Sequence, residues 1–354
     1  MKRFFGGFVL FGAAAVLLAL GSGCDSPNSP GSSAQPYHQV ASYQFPAPAK
    51  DVVAVGDLAA VAAGAYGGVL LNVHDLAHID TVFRATLTSP FEGASKASLD
   101  TINHLFSFTA DPQVMVGASD PVYDYVTRQY VMDVLTEGPY FSLGALSTHN
   151  NISYWGAYCR STTGGAFHGY RMVRDSDTSA WTTDGNPIFQ YYFPNVTWGA
   201  INRGQGFVHR SRDGIFALTV LEAGVHFLND STGAVLSTIL VPGSAYDCQW
   251  YQDSLLVVAA NLQLVILNAQ DAAHPYIISQ LAIPNSDRME RVAIDDHWAC
   301  VMDIYDGIYV VDISNPRNPA YVQLLKMDSP TSVFANGGRV YATDDIAGLE
   351  VFSR

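Results

Sequence analysis

From residue 36 onward, short apolar runs of Val, Ile, Leu, Ala and Tyr alternate with polar turns rich in Asp, Asn, Gly and Pro. No 3.6-residue apolar period persists long enough for a helix, so the pattern predicts many short strands. Residues 1–35 follow a different pattern. Lys2 and Arg3 precede an apolar stretch from Phe4 to Leu20, then Gly21, Ser22, Gly23 and Cys24, then the polar string DSPNSPGSSAQ at 25–35.

The strand pattern repeats. Residues 54–82 (AVGDLAAVAAGAYGGVLLNVHDLAHIDTV) and 294–322 (IDDHWACVMDIYDGIYVVDISNPRNPAYV) align without a gap. Residues 212–230 and 336–353 fit the same frame, and 252–278 fits with Gln263 where the others have Gly. Each unit reads as polar turn, apolar strand, Gly-containing turn, second apolar strand, then Asp or Asn and a further turn. Gly67, Gly224, Gly307 and Gly348 hold the equivalent turn, where a positive φ is most easily met. Asn72, Asn229, Asn268 and Asp312 stand where a side chain can bond its own backbone and end the strand.

Gln263 to Gly307 is 44 residues and Gly307 to Gly348 is 41. Such a period holds four short strands, the size of a β-propeller blade, and blades must stack to bury both faces. The expected fold is all-β, a β-propeller over 37–354. Units beginning at about 50, 95, 140, 195, 244, 286 and 331 make seven blades of the usual length for such repeats. The irregular second and third units leave six or eight open. The last unit stops after its third strand. The segment YHQVASYQFP at 37–46 resembles the fourth strands of two other units, so the N-terminal strand is expected to close the last blade and cover two open edges.

The string GIYVVDISNPRNP at 307–319 resembles the LVIVD repeat of bacterial extracytoplasmic β-propellers, with its Gly, alternating aliphatics, Asp and Pro-containing turn. Residues 271–275 (DAAHP) keep half of that turn. The resemblance implies a propeller and an envelope location, and carries no agreed activity.

The N-terminal pattern of short basic end, apolar run and small residues describes a secretory signal. It resembles lipoprotein signals, in which a Cys after small residues is acylated; the Leu falls four places before Cys24 rather than three. The resemblance implies a signal peptide over 1–23, lipidation at Cys24 and a Ser/Pro/Gly tether over 24–36. An uncleaved membrane helix or a conventionally cleaved signal would also place the folded part outside the cytoplasm.

The chain is 49% hydrophobic and only 14% charged, with 30 Gly and 17 Pro, which excludes disorder. Its net charge is −14, and removal of 1–23 would take away two basic residues and no acidic ones. That balance argues against nucleic acid or anionic lipid headgroups as partners. Beyond Cys24 only Cys159, Cys248 and Cys300 remain. They read as buried thiols, with a Cys248–Cys300 bridge as the alternative.

No Gly-x-Ser-x-Gly, His-Glu-x-x-His, Walker or dinucleotide-binding pattern occurs. His74 and His78 read as loop residues. Asp175, Asp177 and Ser179 begin like a calcium loop, but Ala180 and Asn186 stand where Gly and Glu are needed. Asp303, Asp306, Asp344 and Asp345 recur at a blade rim, where they could bind Ca²⁺ or serve as an acid/base pair, but solvated turns explain them with fewer assumptions. The innermost strands offer only Asp247, Gln249 and Arg291 as axial polar groups, too few to suggest a catalytic channel. Residues 140–198 carry 13 aromatics, 22% of the segment. Aromatics in loops on a rigid scaffold suit a protein or glycan partner, and Trp155, Tyr158, Trp181, Tyr191 and Tyr192 are the candidates; filling a longer blade is the structural alternative.

The expectation is therefore a monomeric, non-catalytic binding module without cofactor or metal. It would be held to the bilayer by an N-terminal acyl group and would bind an envelope protein or glycan through rim loops. The alternative is a metal-dependent hydrolase or lactonase with a central-channel site.

Overall fold

The computed structural model describes residues 37–86, 93–100 and 206–354, and between them the strands Leu105–Ala110, Gln113–Asp120, Asp124–Met132, Leu143–His149, Ile152–Ser161, Gly164–Arg174, Trp181–Thr183 and Phe189–Tyr192. The signal, Cys24 and the tether lie outside the described residues. Among the described residues every regular element is a strand, and the strands form seven antiparallel sheets. These are the seven blades of a β-propeller.

The inner strands of six blades line an axial cavity, and strands follow outward in chain order, except that blade 7 takes its outermost strand from the N-terminal segment and blade 3 carries a fifth strand. The inner strands, one per blade, are Asp51–Val55, Ala94–Asp100, Leu143–His149, Phe207–Arg210, Asp247–Tyr251, Met289–Asp295 and Pro330–Asn336. The two middle strands of a blade are buried on both sides, as in Leu255–Ala260 and Gly307–Asp312, because neighbouring blades cover both faces. Hence they read as unbroken apolar runs. Outer strands such as Val235–Ile239 and Tyr276–Ala282 are largely open to water and carry the polar residues.

The apolar core lies between blades, not within them. One cluster joins Phe227 and Val225 of blade 4 to Leu256 and Val265 of blade 5. Others join blades 5 and 6, 6 and 7, 7 and 1, and 1 and 2. Cys248 and Cys300 are free, buried thiols in two different clusters, so they form no bridge with each other.

The N-terminal strand His38–Tyr43 pairs antiparallel with Gly348–Ser353 and supplies the fourth strand of blade 7. Blade 7 is thus closed by the first strand among the described residues, as the sequence predicts.

Six of the seven expected boundaries fall within three residues of the observed inner strands. The fourth differs: blade 4 begins at Phe207, not at about 195. Blade 3 explains the shift. Phe189–Tyr192 pairs with Ala166–Gly169 as the outer strand, but Trp181–Thr183 first pairs with the far end of the same strand at Met172–Arg174. This inserted strand lengthens the blade and hides its period.

Two turn expectations hold in detail. Gly67, Gly224, Gly307 and Gly348 all have positive φ, from 83° to 124°. At Gly307 a Cβ would come 2.1 Å from the Leu325 carbonyl oxygen of the neighbouring strand. Blade 5 escapes the requirement because its hairpin is shorter, pairing Ala260 with Gln263 directly and moving the positive φ to Asn261. The side chains of Asn72, Asn229, Asn268 and Asp312 each accept a hydrogen bond from the backbone two residues on.

Candidate functional site

The inner strands of six blades each place one residue at the same register position. Asp51 pairs with Ala62, Lys96 with Thr109, Asp247 with Ala259, Arg291 with Met302 and Ser332 with Thr343, and in blade 4 the equivalent residue is Gly206, whose carbonyl accepts the Thr219 amide. Together these six line a cavity of about 160 Å³ on the axis. Five are polar, and four of those five carry formal charge.

Two carboxylates in this ring tie blades together. Asp51 of blade 1 accepts the Ala97 amide of blade 2 at 3.0 Å and the Ser332 hydroxyl of blade 7 at 2.5 Å. Asp247 of blade 5 accepts the Val292 amide of blade 6 at 3.1 Å and its neighbour Cys248 N at 2.9 Å. Gly206 makes room for this carboxylate, since a Cβ there would overlap Asp247 Oδ1. Burial raises the Asp247 carboxyl's pKa, opposed by Arg291 and Lys96.

The cations are held more loosely. Lys96 Nζ lies 3.6 Å from Asp51 Oδ1, an ion pair beyond hydrogen-bond length. Burial lowers its pKa and the nearby Arg291 charge lowers it further, against the pull of Asp51 and Asp247. Arg291 Nε and Nη1 are out of reach of solvent and have no hydrogen-bond partner. The ring can therefore still donate to an anionic group, while its carboxylates are engaged by backbone amides. Sequence reasoning found Asp247, Gln249 and Arg291 but missed Asp51, Lys96 and Ser332. Among the described residues no group of three or more His, Cys, Asp or Glu is arranged to hold a metal ion.

The ring lies toward the end of the channel where the hairpins between second and third strands project, because the inner strands begin there. Those hairpins carry exposed apolar tips: Leu262 in blade 5, Tyr305 in blade 6 and Ile346 in blade 7, which is 74% exposed. Leu240, 68% exposed, stands on the same face in the connection from blade 4 to blade 5. The N-terminal strand begins on the opposite face, since His38 pairs with Ser353 and Tyr43 with Leu349.

The rim carboxylates divide into two kinds, which corrects the expectation that all are solvated. Asp303 and Asp344 are buried. Asp303 accepts the amides of Asp287, Arg288 and Tyr305, and Asp344 accepts those of Ser329, Ile346 and Ala347. Asp306 and Asp345 instead pair with Lys326 at 3.0 Å and Lys50 at 2.6 Å. His74 and His78 are exposed loop residues, each beside an Asp. The segment 175–180, with Asp175, Asp177 and Ser179, lies outside the described residues.

All five candidate aromatics fall on strands of blade 3 rather than in loops: Trp155 and Tyr158 on Ile152–Ser161, Trp181 on Trp181–Thr183, Tyr191 and Tyr192 on Phe189–Tyr192. The Tyr191 hydroxyl is hydrogen-bonded at 2.9 Å to His226 Nδ1 across the seam with blade 4. Burial raises the Tyr191 pKa and lowers that of His226.

No family model and no curated protein matches the chain. Solved structures do match. Sqt1 from Saccharomyces cerevisiae is 12% identical with a TM-score of 0.60, over 86% of this chain and 83% of that one. The WD40 β-propeller domain of Doa1 is 11% identical with a TM-score of 0.63, over 90% and 97%. The β-propeller domain of Cps50 (Swd1) from Myceliophteria thermophila is 10% identical with a TM-score of 0.63, over 90% and 99%. At these identities the likeness is one of fold: nearly the whole chain is similar to complete β-propellers.

Proposed function

We propose that the chain is an envelope lipoprotein whose propeller is a non-catalytic module for a protein partner. The observation that carries the binding role is the row of apolar tips, Leu240, Leu262, Tyr305 and Ile346, exposed along one face of blades 4 to 7. Three of the four tips are aliphatic, which suits an apolar protein surface, whereas a glycan would call for aromatic faces. The LVIVD resemblance at 307–319 and the signal-like residues 1–24 support the envelope location.

Anchoring and binding are compatible in geometry. Thirteen tether residues reach about 45 Å when extended and about 20 Å on average as a flexible coil. The tether joins the fold on the face opposite the apolar tips, so an acyl group at Cys24 does not require the tips to face the bilayer. The aromatic strands of blade 3 would add a second contact region.

The test is site-specific photocrosslinking in cells, with the photoreactive residue at Ile346 or Tyr305 on the tip face, or at Arg317 on the opposite face. The expected result is one discrete adduct from the tip face, absent from Arg317 and lost when Leu262 is replaced by Ser. Equal adducts from both faces overturn the binding reading. The anchor is read separately, by incorporation of a labelled fatty acid that Cys24→Ser abolishes.

A further inference from the structure

We propose that the axial ring is a binding site for a small anion, a carboxylate or phosphate group held between the Arg291 guanidinium and the Lys96 ammonium. Buried donors in folded proteins nearly always have a partner, and one that lacks it marks a place where water or a ligand belongs. Around the ring, Asp51, Asp247 and Ser332 have such partners, each across a blade seam. Arg291 stands apart. Two of its guanidinium nitrogens are buried and unpaired, and they belong to a side chain that lines the cavity.

A second cation sits in the same cavity. Lys96 comes from blade 2 and Arg291 from blade 6, and the Arg291 charge acts unfavourably on the Lys96 ammonium. Two desolvated like charges are relieved by an anion between them, and a guanidinium fork matches the paired oxygens of a carboxylate or phosphate. The ring carboxylates offset the two cations in formal charge, yet neither is hydrogen-bonded to Arg291 Nε or Nη1. Asp51 and Asp247 direct an oxygen each at the amides of Ala97 and Val292. Apolar walls from Val53, Phe207 and Phe334 complete the cavity and suit the carbon frame of an organic acid. At about 160 Å³ the space equals roughly five water volumes, enough for phosphate or a short carboxylic acid.

The proposal is independent of the apolar tips, since none of them lines the cavity. The experiment is calorimetric titration of the full chain in detergent with inorganic phosphate and, separately, citrate, against sodium chloride at matched ionic strength. The expected result is saturable one-to-one binding of at least one of the two; which one binds assigns the chemistry. Arg291→Gln and Lys96→Gln should each weaken it by about tenfold or more, as expected for loss of a charge-assisted hydrogen bond. Lys96→Arg should retain it within about threefold, and Leu262→Ser should leave it unchanged. Should Arg291→Gln fail to fold, the Lys96 pair decides. Absence of binding beyond the chloride control for both anions overturns the site, as does unchanged affinity in the glutamine variants.

Discussion

Asp303 and Asp306 are three positions apart and look alike in sequence, yet they do different work. The Asp303 carboxylate accepts three backbone amides from two loops and is fully buried, whereas Asp306 reaches an exposed lysine. Removing Asp303 strands three donors, each costing about 1–3 kcal/mol when no water can replace the bond. Asp303→Ala should therefore lower unfolding stability by several-fold more than Asp306→Ala, about 3 kcal/mol or more against less than about 1. Urea titration checks both; equal effects would show that the three amides find other partners. His226 supplies a pH dependence. Burial holds its folded-state pKa below the ordinary 6.5, so the unfolded chain takes up the proton first as the medium is acidified. Its contribution is intact above about pH 6.5 and is lost as pH falls toward the folded value. The thermal midpoint should drop between pH 7 and 5, with a shallower slope in His226→Gln.

At the scale of the strand and turn, the sequence is most readable where the backbone itself imposes a residue. At 307 a positive φ, together with a Leu325 carbonyl oxygen that a Cβ would approach to 2.1 Å, admits only Gly, and an asparagine or aspartate that accepts its own downstream amide marks a strand end wherever it occurs. Gly307→Ala should cost more than about 2 kcal/mol by denaturant titration, combining φ strain with the clash against Leu325 O. Gln263→Ala, at the equivalent place in blade 5 where Asn261 carries the positive φ, should cost less than about 1. What the pattern hid has equally physical causes. In blade 3, Trp181–Thr183 pairs with the same strand that the true outer strand also uses, so one extra β-run looks like a blade boundary. The axial ring was hidden because a channel residue is neither core nor surface. Asp51 and Lys96 stand at or near the starts of inner strands, where they read as turn residues, and only register with the neighbouring strand aligns them with Asp247 and Arg291.

At the scale of the whole ring, stability depends on one residue that packs into the core between blades 6 and 7. The closing strand His38–Tyr43 is mostly exposed, so it adds little apolar burial beyond its ladder with Gly348–Ser353. Tyr37, just before it, is 1% exposed and reaches back to blade 6. Its N–H donates to Gln323 Oε1 at 3.1 Å, its carbonyl accepts from Gln323 Nε2 at 2.7 Å, and its hydroxyl donates to Asp295 Oδ2 at 2.8 Å. Asp295 also holds the Gly338 amide at 3.1 Å and the Arg354 guanidinium at 3.0 Å, so Tyr37 stands where the first and last described residues meet one carboxylate. A blade opened here exposes the edge of Gly348–Ser353 and frees the seam between blades 6 and 7. Tyr37→Ala removes a buried ring and leaves Asp295 short of a donor, a loss of about 3–5 kcal/mol. His38→Ala, on an exposed side chain one residue away, should change stability by less than about 0.5 kcal/mol. Deleting 37–47 should cost more than Tyr37→Ala and broaden the thermal transition, because an unclosed ring can fray from blade 7. An unchanged midpoint on deletion would mean that the six other blades hold the ring without it.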